Sequence, residues 1–149
     1  VMFSKRTSIN IQMLTIEDDG LHLIVDSEVN GKSCRLLIDT GASRTVFDQN
    51  RIFIFIKEGE LEQHDKLSTG LGTDSMPTSS TSLSNFNIGE LKIENFHAIL
   101  LDLSHVNASY EKMGYSQIDG VLGSDVLNEY NAIIDYKKRK ITLSKKKKN

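Results

Sequence analysis

The residues best suited to chemistry lie in one short run, Asp39-Thr40-Gly41-Ala42-Ser43, directly after the apolar stretch Leu36-Leu37-Ile38. A carboxylate delivered at the end of an apolar strand can take a proton from water or give one to a carbonyl oxygen. Two such carboxylates sharing one proton can do both. The ionised one activates water while the neutral one donates, which suits peptide hydrolysis at mildly acidic pH, and the two titrate as a coupled pair. Gly41 fits a sharp backbone turn beneath the carboxylate. The chain holds no second Asp-Thr-Gly or Asp-Ser-Gly, so it brings one carboxylate of this kind. Asp135 leads into Tyr136-Lys137, which offers neither the glycine nor the hydroxyl of such a loop, and Asp119-Gly120 reads as a turn. An ordinary turn after a strand can also have the composition Asp-Thr-Gly, so the tripeptide alone decides little.

Other chemistries have less to stand on. His22, His64, His97 and His105 are scattered without ligand spacing, and the single cysteine, Cys34, excludes an intrachain disulfide and reads as a small core residue. No metal or cofactor is expected. Lys137, Lys138, Arg139, Lys140 and Lys145 through Lys148 supply 8 of the 18 basic residues, while all 20 acidic residues precede them and leave the body acidic. That balance argues against a nucleic-acid ligand. The longest apolar island, Ile52 to Ile56, is too short to span a bilayer, and no signal-like segment follows the opening residues, which favours the cytoplasm.

The elements that must position Asp39 can be read from periodicity and turn chemistry. At 149 residues the chain suits one domain, with a core expected over about 21–143 and a disordered basic tail over 144–149. Two apolar runs flank Asn30-Gly31, predicting a type I′ hairpin from Leu21 to Asp39 whose second strand ends on the carboxylate. Asp48 is the expected N-cap of a helix to about Glu62, although the Ile-Phe alternation also suits a strand. From His64 to Ser84 the Ser, Thr and Gly content predicts a loop or mobile hairpin. Strands are expected at Ser84–Ile88 and Leu91–Leu101, with Ile93, Phe96, Ile99 and Leu101 on one face. Ser104 to Gln117 reads as a surface loop or short helix. Ser124 is the expected N-cap of a helix Asp125–Tyr130, followed by a strand pair around Ala132–Tyr136 and Lys140–Leu143.

Two of these pieces, the apolar strand ending in Asp39-Thr40-Gly41-Ala42-Ser43 and the later Val121-Leu122-Gly123 leading into a helix, resemble the retropepsin-like aspartic proteases of the single-domain bacterial and retroviral kinds. The resemblance runs from about Leu21 to Leu143 in the family's order. It implies a mostly-β fold, a closed barrel with one or two short helices and one lobe per chain. It implies an aspartic endopeptidase that works as a homodimer on peptide or protein substrates, with Asp39 as the catalytic residue of each subunit. Thr40 would offer its hydroxyl across the dimer axis, Ala42 keep the channel open, and Ser43 hydrogen-bond an outer carboxylate oxygen. The strand Val121, Leu122 and Gly123 would brace the catalytic loop. Gly70, Leu71 and Gly72 would form the tip of a flap over the substrate. Val46 to Lys66 is longer and more charged than in the minimal viral enzymes, so their pockets do not transfer. An ion pair that many relatives place beside the loop falls here on Arg44 and Asp125, which either pair with reversed polarity or are both solvent-exposed. The terminal strand Ile141 to Leu143 is apolar enough to join a dimer interface. Two other functions fit less of the sequence: a catalytically silent module that dimerises or binds peptides, and a small β-barrel binding protein whose Asp-Thr-Gly is only a turn.

Overall fold

The computed structural model of the chain describes residues 6–16, 20–64 and 78–145. Two strands precede the expected start of the domain, Arg6–Asn10 (β1) and Gln12–Ile16 (β2). The hairpin forms from Gly20–Val29 (β3) and Lys32–Ile38 (β4), with Asn30 and Gly31 both left-handed at φ 50° and 82°, as a type I′ turn demands. Val46–Asp48 (β5), Glu62–His64 (β6), Thr78–Ile88 (β7) and Leu91–Leu101 (β8) follow. Then come the helix Ser104–Lys112 (α1), Gly120–Leu122 (β9), the helix Ser124–Glu129 (α2), Ile133–Asp135 (β10) and Lys140–Ser144 (β11).

The larger sheet runs β2-β3-β4-β9-β5-β8-β7-β6, and an additional β3–β7 pairing through Glu28↔Asn87 and Val29↔Phe86 closes six of its strands into a barrel. The mostly-β barrel with short helices is therefore the architecture the sequence led us to expect. Inside it, Phe47, Phe86 and Phe96 meet edge-on or tilted with centroids 5.3–6.4 Å apart, among buried Leu36, Leu83, Ile88 and Leu100. A second apolar cluster lies under α1, where Tyr110 packs with Leu14, Ile24, Ile118 and Val121. The remaining strands form a small antiparallel sheet, β1-β11-β10, that buries Ile141 and Leu143 against the barrel core. Among the described residues no helix is long and apolar enough to cross a membrane.

Several local expectations need correction. The helix from Asp48 to Glu62 does not form. Residues 46–48 are spent on β5, and only two single-turn 3-10 helices follow, Ile52–Ile54 and Glu58–Glu60, separated by Lys57 in an extended conformation. Gly123, not Ser124, is the N-cap of α2. The apolar face of β8 is Leu91 and Ile93 at one end and Ala98 and Leu100 at the other, while Leu101 is 45% exposed. The alternation changes phase at Asn95, which is left-handed at φ 53°. The terminal strand β11 pairs along its length with β1 and over Lys140–Thr142 with β10, and its apolar Ile141 and Leu143 are buried within the chain. The expected core boundary also moves: β1 and β2 join the fold, and Ser144 belongs to β11.

Candidate active site

Asp39 lies immediately beyond β4 and is exposed. Its backbone N–H donates to the Leu122 carbonyl at 3.0 Å, which continues the parallel β4–β9 pairing by one residue. The Ala42 N–H donates to the Asp39 carbonyl at 3.1 Å, and the Gly41 N–H donates to Asp39 Oδ1 at 2.9 Å. One carboxylate oxygen is thus held by the loop's own backbone, leaving Oδ2 without a partner among the described residues. Gly41 is not left-handed; what it supplies is space, since a Cβ there would stand 3.3 Å from Oδ1.

The loop is seated on the residues after β9. Ser124 N–H donates to the Ala42 carbonyl at 2.7 Å, and Gly123 N–H donates to the buried Thr45 hydroxyl at 2.9 Å. That hydroxyl donates in turn to Asp125 Oδ1 at 2.7 Å, and the same oxygen accepts the Thr45 N–H. Asp125 is therefore occupied by Thr45, not by Arg44, which is exposed; the proposed reversed ion pair is absent among the described residues. At Gly123 a Cβ would come within 2.7 Å of the Arg44 carbonyl and 2.9 Å of the Ala42 oxygen. Only glycine lets the two backbones approach this closely.

Asp119 is not a simple turn residue. It is 6% exposed, its Oδ2 accepts the Arg35 N–H at 2.8 Å, and its Oδ1 pairs with Arg51 Nε at 2.7 Å. Its backbone carbonyl also receives the Asp48 N–H. This carboxylate stitches β4, β9 and the turn after β5 together on the flank of the barrel, and Asp39 is no part of that network.

Beside Asp39 opens a groove of about 280 Å³, whose walls include His22, Leu37, Thr40, Ile134 and Tyr136. His22 stands one step beyond the last β3–β4 ladder pair, Leu23↔Ile38, and so faces Asp39 across the hairpin. Its Nδ1 lies 2.7 Å from the Tyr110 hydroxyl. Burial pushes the Tyr110 phenol up to about 12.

The structure brings Asp39, Thr40, Gly41, Ala42 and Ser43 into one turn, with Thr40 and Ser43 exposed, and sets Val121, Leu122 and Gly123 beside it. Gly70, Leu71 and Gly72 lie outside the described residues. Sequence reasoning passed over Thr45 and His22. His22 could have been found from the turn alone, because pairing counted back from Asn30-Gly31 sets it opposite Asp39. Thr45 carries no comparable signal, since its hydroxyl acquires meaning only when α2 arrives from 80 residues away.

A family model described as aspartyl protease matches residues 25–126. Among solved structures, the chain is similar to a retropepsin-like aspartic protease from Rickettsia conorii, at 16% identity over 97% of each chain with a TM-score of 0.55. It is also similar to the retroviral protease-like domain of Ddi1 from Leishmania major, at 14% identity over 82% of this chain and 87% of that one, with a TM-score of 0.56. At these identities the two likenesses speak for the fold. No curated protein matches the chain.

Proposed function

Because this chain belongs to the aspartyl protease family, we propose that it is an aspartic endopeptidase whose active form is a homodimer with one Asp39 from each subunit. The observation that carries this reading is the setting of Asp39: an exposed carboxylate at a strand end, one oxygen held by Gly41, on a loop wedged against Gly123 and open to a groove. A rigid loop that presents a reactive group to open space fits catalysis better than an ordinary turn.

In the mechanism, the ionised Asp39 of one subunit takes a proton from water as the water oxygen bonds to the peptide carbonyl carbon. The protonated Asp39 of the other subunit gives its proton to the carbonyl oxygen, forming a neutral gem-diol. The gem-diol then loses a hydroxyl proton to the carboxylate now ionised, the C–N bond breaks, and the carboxyl that took the water proton gives it to the departing nitrogen, which restores the pair. Both carboxylates are needed, and each subunit offers one. In this reading Thr40 of each subunit holds the two loops together across the axis, Ala42 keeps the groove open, and Ser43 supports the outer carboxylate oxygen. Val121, Leu122 and Gly123 brace the loop.

The test is incubation with a diverse peptide library from about pH 4 to 7, comparing the native chain with Asp39→Asn. Cleavage by the native chain that falls by a factor of roughly 1000 or more in the variant is expected. Cleavage that survives the substitution would sink the mechanism, and binding without cleavage would move the chain to a silent peptide-binding module.

A further inference from the structure

Among the described residues lining the groove beside Asp39, His22 is the only one with nitrogen atoms in its side chain. Its orientation is set from behind. The Tyr110 hydroxyl is buried under α1, and its proton has no acceptor among the described residues other than His22 Nδ1, 2.7 Å away. With Nδ1 accepting, the proton of the neutral imidazole sits on Nε2. Nε2 has no partner among the described residues, and the ring lines the groove opposite the reacting carboxylate. The other walls are poorly suited to holding an ion: Leu37 and Ile134 are apolar, and Thr40 and Tyr136 offer neutral hydroxyls.

Resting on the protease reading above, we propose that His22 is a specificity-determining residue whose Nε2 donates to a Glu or Asp side chain of the bound peptide, close to the scissile bond. An acidic side chain entering this groove meets the charge of Asp39, and the His22 N–H offers it a donor on the opposite wall. A basic side chain would instead be drawn onto Asp39 and occupy the oxygen that water needs. Discrimination therefore comes from both ends: attraction at His22 and misplacement at Asp39.

The test uses fluorescent octapeptides of one fixed sequence in which each position in turn holds Glu, Gln or Lys. Binding is read by anisotropy in the Asp39→Asn protein, alongside cleavage by the native chain. A preference for Glu over Gln of roughly tenfold at one or more positions is expected, the scale of one charge-assisted hydrogen bond. It should vanish in Asp39→Asn/His22→Leu and return in Asp39→Asn/His22→Arg. A Glu preference that is absent, or that survives His22→Leu, overturns the proposal. So does an equal loss for all three peptide classes, which would mean that His22 holds the peptide backbone. Binding with the expected preference but no cleavage by the native chain would contradict the protease reading and leave the role of His22 standing.

Discussion

At the scale of single residues, the groups that matter most are those whose surroundings permit no substitute. Gly123 meets the backbone of the Asp39 loop so closely that a methyl group must displace it. Gly123→Ala is expected to cost about 1–3 kcal/mol in urea unfolding, the range of an overpacked contact. A cost near zero would mean that the loop is not wedged there. Cys34 yields a prediction in pH. Burial, reinforced by the nearby charge of Asp119, pushes its thiol from 9.0 up to about 12. Between those values the unfolded chain has released the proton and the folded chain retains it, so stability from this group is complete below about pH 9 and is lost as pH rises toward 12. Unfolding midpoints of Cys34→Ala should therefore fall less steeply than those of the native chain between about pH 9 and 10, before Tyr110 begins to contribute. Parallel curves would refute that. The loop at Asp39 was legible in the sequence because five adjacent residues form it. The support was not, because Thr45, Asp119 and His22 act on partners that are distant in the chain.

Among the elements, legibility followed how local the cause of each one is. The β3–β4 hairpin was readable from Asn30-Gly31, since a two-residue turn fixes its own register. β1 was not, because it is held by β11, 130 to 138 residues away. The segment after Asp48 misled for another reason. Its apolar residues look periodic, but Ile52, Phe55 and Ile56 are buried from short 3-10 turns that cap the barrel. The phase change in β8 was likewise invisible, because a single left-handed Asn95 opposes strict alternation. Where strands meet without a local turn, side-chain links take over. Asp119 joins β4 through the Arg35 N–H and the β5 turn through Arg51. Asp119→Ala leaves that N–H and the Arg51 Nε without their acceptor, while Arg51 Nη1 keeps Gln117, and about 3 kcal/mol of destabilisation is expected in chemical denaturation. A loss under about 0.5 kcal/mol would show that the barrel does not depend on this link.

For the whole molecule, the sequence supplies one Asp-Thr-Gly loop and so one carboxylate of the required kind, beside the groove, and the proposed reaction needs two carboxylates. The small sheet constrains how a second copy can dock on it: β1 lines one edge of β11 and β10 covers Lys140–Thr142 of the other, so strand pairing between copies through this sheet would use β1, β10 or the end of β11. Assembly is thus the point on which the function turns, and it can be measured without knowing the substrate's identity in the cell. Native chain and Asp39→Asn chain are mixed in equal amounts, allowed to exchange subunits, and assayed at constant total concentration on any peptide that the native chain cuts. Random pairing leaves about a quarter of the dimers with two Asp39 carboxylates, so activity should fall to about a quarter of the all-native value. A fall to only about one half would mean that each subunit works alone, and would contradict the shared pair.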